Sequence, residues 1–425
     1  MEQDYKLPLS TAILINLNIM LSAGVFLNTI TLAQFAGALS PLAYLTVGLL
    51  MLPIILCMAR LTTIYPNGSF YIYGAKQLWP VAGFLSSWGY FTGKLASSSI
   101  MIHFSALLIK SGIPLFNATN PFYIDLFIIG TFVYLNSLQL KASSKIQFGF
   151  AFLKSIPILF VILSGLLFFS TSNFEPQLIL WDGFPLALPF VVYAFVGFEA
   201  SCSLSKHIEN ASENSSKAIL YSFALALFLT IVYQLGFFGS VGRYLMSAKN
   251  YFNSFPILLK TLFSQEIMNK TKALPQLAIA ASALGGSYGI FFSNQWNLYE
   301  LAMHNYTFFS DSLTKFNKHK IPTLCIIVEA LICIFYIYFF SGSNIILQQI
   351  AALSCLLAYS VSIIALLKTN RSINEIAAIL SSIILIGFTL FGLLKSSLIG
   401  LSIFGGILSL GLIMFLFKRS QTPTF

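Results

Sequence analysis

Charge is what this chain has least of. Only 8% of its 425 residues are Asp, Glu, Lys or Arg, roughly a third of the ~25% that a water-facing domain carries. A soluble enzyme, a nucleic-acid binder and a disordered regulator are all poor fits to that composition. The five cysteines (Cys57, Cys202, Cys325, Cys333, Cys355) lie in or at the edge of apolar runs, with no CxxC and no His-rich tract. Neither a disulfide framework nor a metal site is expected. No G-x-x-x-x-G-K-[ST] run occurs, which disfavours ATP-driven transport, and no filter motif suggests a channel. The four histidines (His103, His207, His304, His319) have no acid or hydroxyl partners at catalytic spacing. The chain is therefore not read as an enzyme, and no cofactor is expected. Its opening, MEQDYKLPLS, lacks the basic n-region and cleavage site of a signal peptide, so the first apolar run is read as retained.

Apolar residues are what the chain has in excess: 57% of the total, 42 of them Phe, with a mean hydropathy of +0.84. At about 20 residues per span, the runs predict twelve transmembrane helices. The first six lie near 10–36, 39–59, 80–109, 121–139, 146–170 and 184–205; the others lie near 216–240, 273–303, 321–340, 342–367, 374–394 and 397–417. An even count puts both termini on one side. With the termini inside, fourteen Lys and Arg fall in cytoplasmic segments against seven outside, and five of those seven share one longer loop. That bias favours cytoplasmic termini. The expectation is an all-α polytopic protein of the plasma (inner) membrane, with residues 1–425 forming one transmembrane domain. The net charge of +10 is scattered at the ends of apolar runs and makes no nucleic-acid patch; the bilayer is the expected partner, and oligomeric state is left open.

Five ionisable residues within predicted spans stand out: Lys94, His103, Lys154, Glu199 and Glu329. Each costs a few kcal/mol at bilayer depth even on lenient scales, so each is a candidate for a pathway or coupling role. For Glu329 the plain alternative is an interfacial position on the ninth helix. For His103 it is a packed, hydrogen-bonded core position.

Two spans break their own pattern. The first carries Ser22-Ala23-Gly24 at its centre, and the sixth carries Tyr193-Ala194-Phe195-Val196-Gly197-Phe198-Glu199. Small residues at such points commonly mean close helix packing. Their matched placement, opening the first and second sets of five helices, instead suggests an inverted repeat with discontinuous helices. The repeat units would be 10–170 and 184–367, with 374–417 as two extra helices. Unwinding frees peptide groups that a ligand carboxylate and ammonium can satisfy.

These residues resemble the amino acid–polyamine–organocation (APC) superfamily of transporters. Asn18-Ile19-Met20 leading into Ser22-Ala23-Gly24-Val25-Phe26 is similar to its first-helix signature, with Ser22 in place of the leading glycine. Tyr65-Pro66-Asn67-Gly68-Ser69-Phe70-Tyr71-Ile72-Tyr73-Gly74 resembles the segment after its second helix, and Phe84 to Phe91 the start of its third. Phe195-Val196-Gly197-Phe198-Glu199-Ala200 is the best match, whereas Glu209-Asn210-Ala211 departs from the usual K-N-P. The segment Lys315 to Pro322 after the eighth helix also matches.

The resemblance implies a LeuT-like five-plus-five inverted repeat, discontinuous helices 1 and 6, and an alternating-access carrier of amino acids or related amines. It places a substrate carboxylate at the N–H groups of Ser22, Ala23 and Gly24. The ammonium would meet carbonyls near Tyr193, Ala194 and Phe195 before Gly197, and near Ile19. Tyr193, Phe291 and Tyr90 match aromatic closures. Glu199 matches a gating glutamate, and without a strong partner such a buried carboxyl favours its protonated form. Lys154 stands where sodium-coupled relatives hold a cation, pointing to sodium independence with proton coupling or exchange; snorkelling to the interface is its alternative. Lys94 is outside the family pattern. Aligned with Tyr90, it would line the cavity and repel cationic substrates. A sodium symporter of the same fold and a non-transporting receptor on a carrier scaffold stay open as alternatives.

Overall fold

The computed structural model describes residues 5–248, 253–264, 273–340, 344–369, 371–396 and 398–421. Its helices begin with α1 (Leu9–Met20), α2 (Ala23–Ala36), α3 (Ser40–Ile64), α4 (Phe70–Gln77), α5 (Pro80–Gly112) and α6 (Pro121–Asn136). There follow α7 (Leu140–Phe168), α8 (Phe184–Phe195), α9 (Ala200–Ser203), α10 (Ala211–Val241), α11 (Arg243–Met246) and α12 (Ser254–Leu262). The last third holds α13 (Ala273–Met303), α14 (Ser310–Leu313), α15 (Thr323–Phe340), α16 (Asn344–Thr369), α17 (Ile373–Ser396) and α18 (Leu398–Gln421). Among the described residues, β pairing is confined to two isolated bridges, Leu7 with Ile208 and Gly37 with Ile179.

Over the described residues, every run predicted as a span coincides with a helix or a broken pair of helices; positions 342–343 and 397 of two runs lie outside them. Among the described residues, ten segments are long and apolar enough to cross a membrane, counting α1–α2 and α8–α9 as one each. The two remaining runs are α6, only 16 residues long, and α13. The latter carries Ser282, Ser287, Ser293, Asn294, Gln295 and Asn297, all buried. Its polar side chains face protein because α13 packs against α1, α5, α7 and α15.

The outward surface is inverted relative to a soluble protein. On α3 the exposed residues are Leu42, Leu45, Leu49, Leu52 and Leu56, a stripe at three- and four-residue spacing. Tyr44, Val47, Met51, Ile54, Ile55 and Met58 turn inward and are fully buried. Leu159, Leu163, Leu166 and Leu167 line the outside of α7 in the same way. So broad an apolar belt needs an apolar solvent.

Inside the bundle, small residues set the helix spacing. Gly165 of α7 and Gly236 of α10 meet backbone to backbone, and Gly93 of α5 seats the Ser354 side chain of α16. With lipid outside and protein inside equally apolar, such close packing supplies much of the association. Gly165→Leu should therefore lower the thermal-unfolding midpoint of the purified protein, by overpacking worth about 1–3 kcal/mol. Gly130→Leu, at a position with open space around it, should leave the midpoint unchanged.

Candidate functional site

The first span loses its hydrogen-bond ladder at Leu21–Ser22. The last regular bond of α1 is Leu21 N–H to Leu17 O, 2.8 Å, and Ser22 has φ −107° and ψ −144°. Three carbonyls released by the break find side-chain donors. Lys154 of α7 donates from Nζ to Asn18 O, the Ser22 hydroxyl donates to Ile19 O at 2.7 Å, and Ser282 Oγ of α13 donates to Leu21 O at 3.3 Å. The Asn18 amide fastens the same turn to α7 through Gln147 O and Oε1, both at 2.8 Å.

The donors fare differently. Val25 N–H bonds Ser22 O at 3.2 Å, but Ser22 caps α2 with no side-chain bond. Among the described residues no acceptor is found for the N–H groups of Ser22, Ala23 and Gly24. A buried helix start left open in this way presents partial positive charge.

The sixth span opens at Val196–Glu199. Gly197 has φ +152°, a conformation that L side chains rarely adopt. Its N–H donates to Glu199 Oε2 at 2.7 Å. Ala194 O and Phe195 O, the next carbonyls of α8, lose their helical donors at the break, and no other donor is found for them among the described residues. The two openings touch. A Cβ on Gly24 would meet Ala194 Cα and Tyr193 Cε1, each at 3.2 Å; one on Gly197 would meet Met20 N and Cγ, each at 2.8 Å. The start of α2 thus packs against the end of α8, and the second break against the end of α1.

Tyr193 lies against Gly24 and shares a hydrogen bond with Ser97 of α5, 3.3 Å. The Phe195 ring packs outward, on Tyr44 and Phe223. Phe291 is not brought to the break. Its ring meets Phe132 of α6 at 5.9 Å, whereas α13 reaches the break through Gly286, against Ser22, and Gly289, against Ile19. At about 100° per residue, Phe291 sits about 140° from Gly286 around α13.

Glu199 has partners that the sequence reading did not anticipate. Lys94 Nζ approaches Oε1 at 3.1 Å, with both side chains fully buried. The Tyr90 hydroxyl donates to the same oxygen at 3.0 Å, and the Tyr90 ring stacks on Phe70 at 4.3 Å. The expectation of a carboxylate without a strong partner is overturned, and Lys94 is a counter-ion rather than a bare cation. The reason is register: Tyr90 and Lys94 are one turn apart on α5, and the sequence alone did not show that α9 begins beneath them. Lys154 is buried and turned inward, which removes the snorkelling alternative. Glu329 is fully buried within the bundle. His103 bonds Asp125 of α6 at 2.8 Å; Asp125 lay within the fourth predicted span and escaped notice there.

Beyond the end of α9 lies a cavity of ≈ 470 Å³ lined by Ser203, Lys206, Trp296, Tyr299, Glu300 and His304. Lys206 pairs with Glu300. The segment before α1 crosses nearby, with Leu7 N–H on His207 O at 2.7 Å and Glu209 N–H on Leu7 O at 3.0 Å.

This architecture has sequence relatives. The family model described as "Amino acid permease" matches residues 7–423. The chain belongs to the amino acid permease family. Among its relatives in Bacillus subtilis (strain 168), the uncharacterized amino acid permease YtnA is 28% identical over 225 residues, covering 48% of this chain and 47% of the relative. The amino-acid permease RocC is 25% identical over 240 residues, half of each chain. The branched-chain amino acid permease BcaP is 25% identical over 246 residues, 52% of this chain and 51% of the relative. The chain spans about half the length of the curated relatives it matches. Membership fits the ten apolar helices: this is an integral membrane protein of a permease family, not of an enzyme family.

Removing one member of the buried pair in this permease family member leaves the other unpaired. Lys94→Met should lose about 3–5 kcal/mol of stability, and Lys94→Met with Glu199→Gln should recover most of that loss. Thermal unfolding of the purified variants measures both; equal losses in the single and double variants would remove the pair as the cause.

Proposed function

We propose that the protein is a sodium-independent secondary carrier of amino acids, working by alternating access across the plasma membrane. In this reading α1–α2 and α8–α9 are the broken first and sixth of twelve spans. Residues 10–170 and 184–367 form two inverted five-helix units, 374–417 adds two helices, and both termini are cytoplasmic. The observation that carries the proposal is the apposition of the two breaks. The start of α2, with open N–H groups at Ser22, Ala23 and Gly24, packs through Gly24 on Tyr193 and Ala194 at the end of α8, where the carbonyls of Ala194 and Phe195 are open.

A zwitterion fits that pair. Its carboxylate takes the N–H groups at the start of α2, where the helix dipole favours an anion. Its ammonium takes the carbonyls at the end of α8, where the dipole favours a cation. Tyr193, resting on Gly24, closes the site. Three charges lie near the breaks, and none is free: Lys94 and Glu199 cancel, and Lys154 is committed to Asn18 O. That favours amino acids with uncharged side chains over arginine, lysine or polyamines. The names of BcaP, a branched-chain amino acid permease, and of YbxG, a probable threonine/serine transporter, agree with such a substrate class.

Lys154 supports sodium independence. Its ammonium tethers the first span to α7 from within the protein, supplying at that point the positive charge that a bound cation would bring. Occupied sites would then drive exchange of one substrate for another, or movement with a proton.

Reconstituted into liposomes, the protein should take up labelled neutral amino acids with no sodium present, and internal unlabelled substrate should accelerate entry. Uptake that requires sodium would refute the role given to Lys154. Gly24→Val should cut uptake more than tenfold, about 1.4 kcal/mol or more in the rate-limiting barrier, because the added methyls occupy the contact with Tyr193. Wild-type uptake in that variant would move the site away from the breaks.

A further inference from the structure

The site described above uses one buried carboxyl and leaves another unexplained. Glu329 is fully buried on α15. It shares a helical face with Cys325 and Cys333 at four-residue spacing. Both ends of that face are anchored inward: Cys325 Sγ on Leu313 O at 3.4 Å, and Cys333 Sγ on Leu95 O of α5 at 3.7 Å. Glu329 therefore points into the bundle, toward α5 and α13. Neither of its oxygens has a hydrogen-bond partner among the described residues.

Most charged groups on the packed helices are engaged elsewhere, and Lys110 lies in the last turn of α5. On α5, Lys94 is held by Glu199 and His103 by Asp125 of α6. On α13, Glu300 is held by Lys206 and His304. On α14, Asp311 is exposed. The titratable neighbours of Glu329 are the thiols of Cys325 and Cys333. Beside it stands Asn294 of α13, whose amide donates to Phe91 O at 3.0 Å.

Asn294 is also the end of a polar chain. Asn297 donates to Asn294 Oδ1 at 3.0 Å and to Ser203 Oγ at 2.9 Å, and Ser203 lines the ≈ 470 Å³ cavity beyond α9. Hydroxyl and amide groups thus run from that cavity to the side of a carboxyl with no counter-ion.

We propose that Glu329 is a proton-binding site at membrane depth, loaded in this conformation and reached from the cavity along Ser203, Asn297 and Asn294. An ionised carboxylate with no cation and no hydrogen bond within reach among the described residues is prohibitively unfavourable, whereas the neutral acid is not. Glu199 presents the opposite solution, with a cation, a phenol and a backbone N–H on its two oxygens. Two buried carboxyls in contrasting surroundings divide the work: one is charge-balanced internally, the other exchanges a proton. Use of that proton in transport rests on the carrier reading; its presence does not.

Infrared spectroscopy of the purified full-length protein at neutral pH reads the proton directly. A carbonyl stretch of a protonated carboxyl should be present in the wild type, lost in Glu329→Gln and kept in Glu199→Gln. Glu329→Asp serves if the glutamine variant does not fold, and should shift the band. A wild-type spectrum without the band, or one unchanged in the Glu329 variants, overturns the proposal. Asn297→Leu should keep the band and slow its deuterium exchange; unchanged exchange would refute the route. In liposomes, Glu329→Gln should abolish stimulation by an inward proton gradient while preserving substrate counterflow. Full stimulation in that variant would refute the coupling role, whereas absence of counterflow in the wild type would refute the carrier reading and leave the infrared result standing.

Discussion

A peptide group in the interior of a bilayer has no water to bond, so each N–H and C=O released by a helix break must find a partner in the protein or in a guest. That constraint organises this molecule around two short segments. At Leu21–Ser22 three freed carbonyls are answered by Lys154, Ser22 and Ser282, each from a different helix or turn. At Val196–Glu199 one N–H is answered by the Glu199 carboxylate. The groups left open are donors on one side and acceptors on the other. Much of the surrounding packing serves this arrangement. Gly286 admits Ser22, Gly289 admits Ile19, and Gly197 takes a backbone conformation and an approach to Met20 that a side chain would obstruct.

Charge inside the bundle follows the same economy of partners. Lys94 and Glu199 join α5 to the second break, with Tyr90 adding a donor. Lys154 joins α7 to the first. Each break is thereby tied to a neighbouring helix by a charged side chain, so a movement of either half-helix must carry that neighbour or part from it. Breaking a buried pair is expensive, which favours concerted shifts of packed units over local unwinding.

Much of this was legible beforehand. The twelve apolar runs coincide with helices because a 20-residue stretch without charge has few alternatives to a buried or lipid-facing helix. Both interruptions were marked by small residues, and the second also by a carboxylate, Glu199, that a continuous apolar helix would not hold. What escaped notice was of another kind. Asp125 and Glu300 are single acids inside runs whose average hides them. Gln147 and Ser282 are polar residues of a type common in such helices, and their role depends on which carbonyl they face. Phe291 matched a family position in order along the chain, but the face it presents depends on the rotation of α13, which letters do not record.

By itself the sequence determined that the protein lies in a membrane, where its helices fall and where two of them are interrupted, since composition and local patterning set those outcomes within each segment. The tertiary structure alone decided that Lys94 neutralises Glu199, that Lys154 turns inward, that Glu329 has no hydrogen-bond partner among the described residues, and that the two interruptions meet. Hydrogen bonds and ion pairs act over about 3 Å, and which residues come within that reach across distant helices depends on packing and rotation.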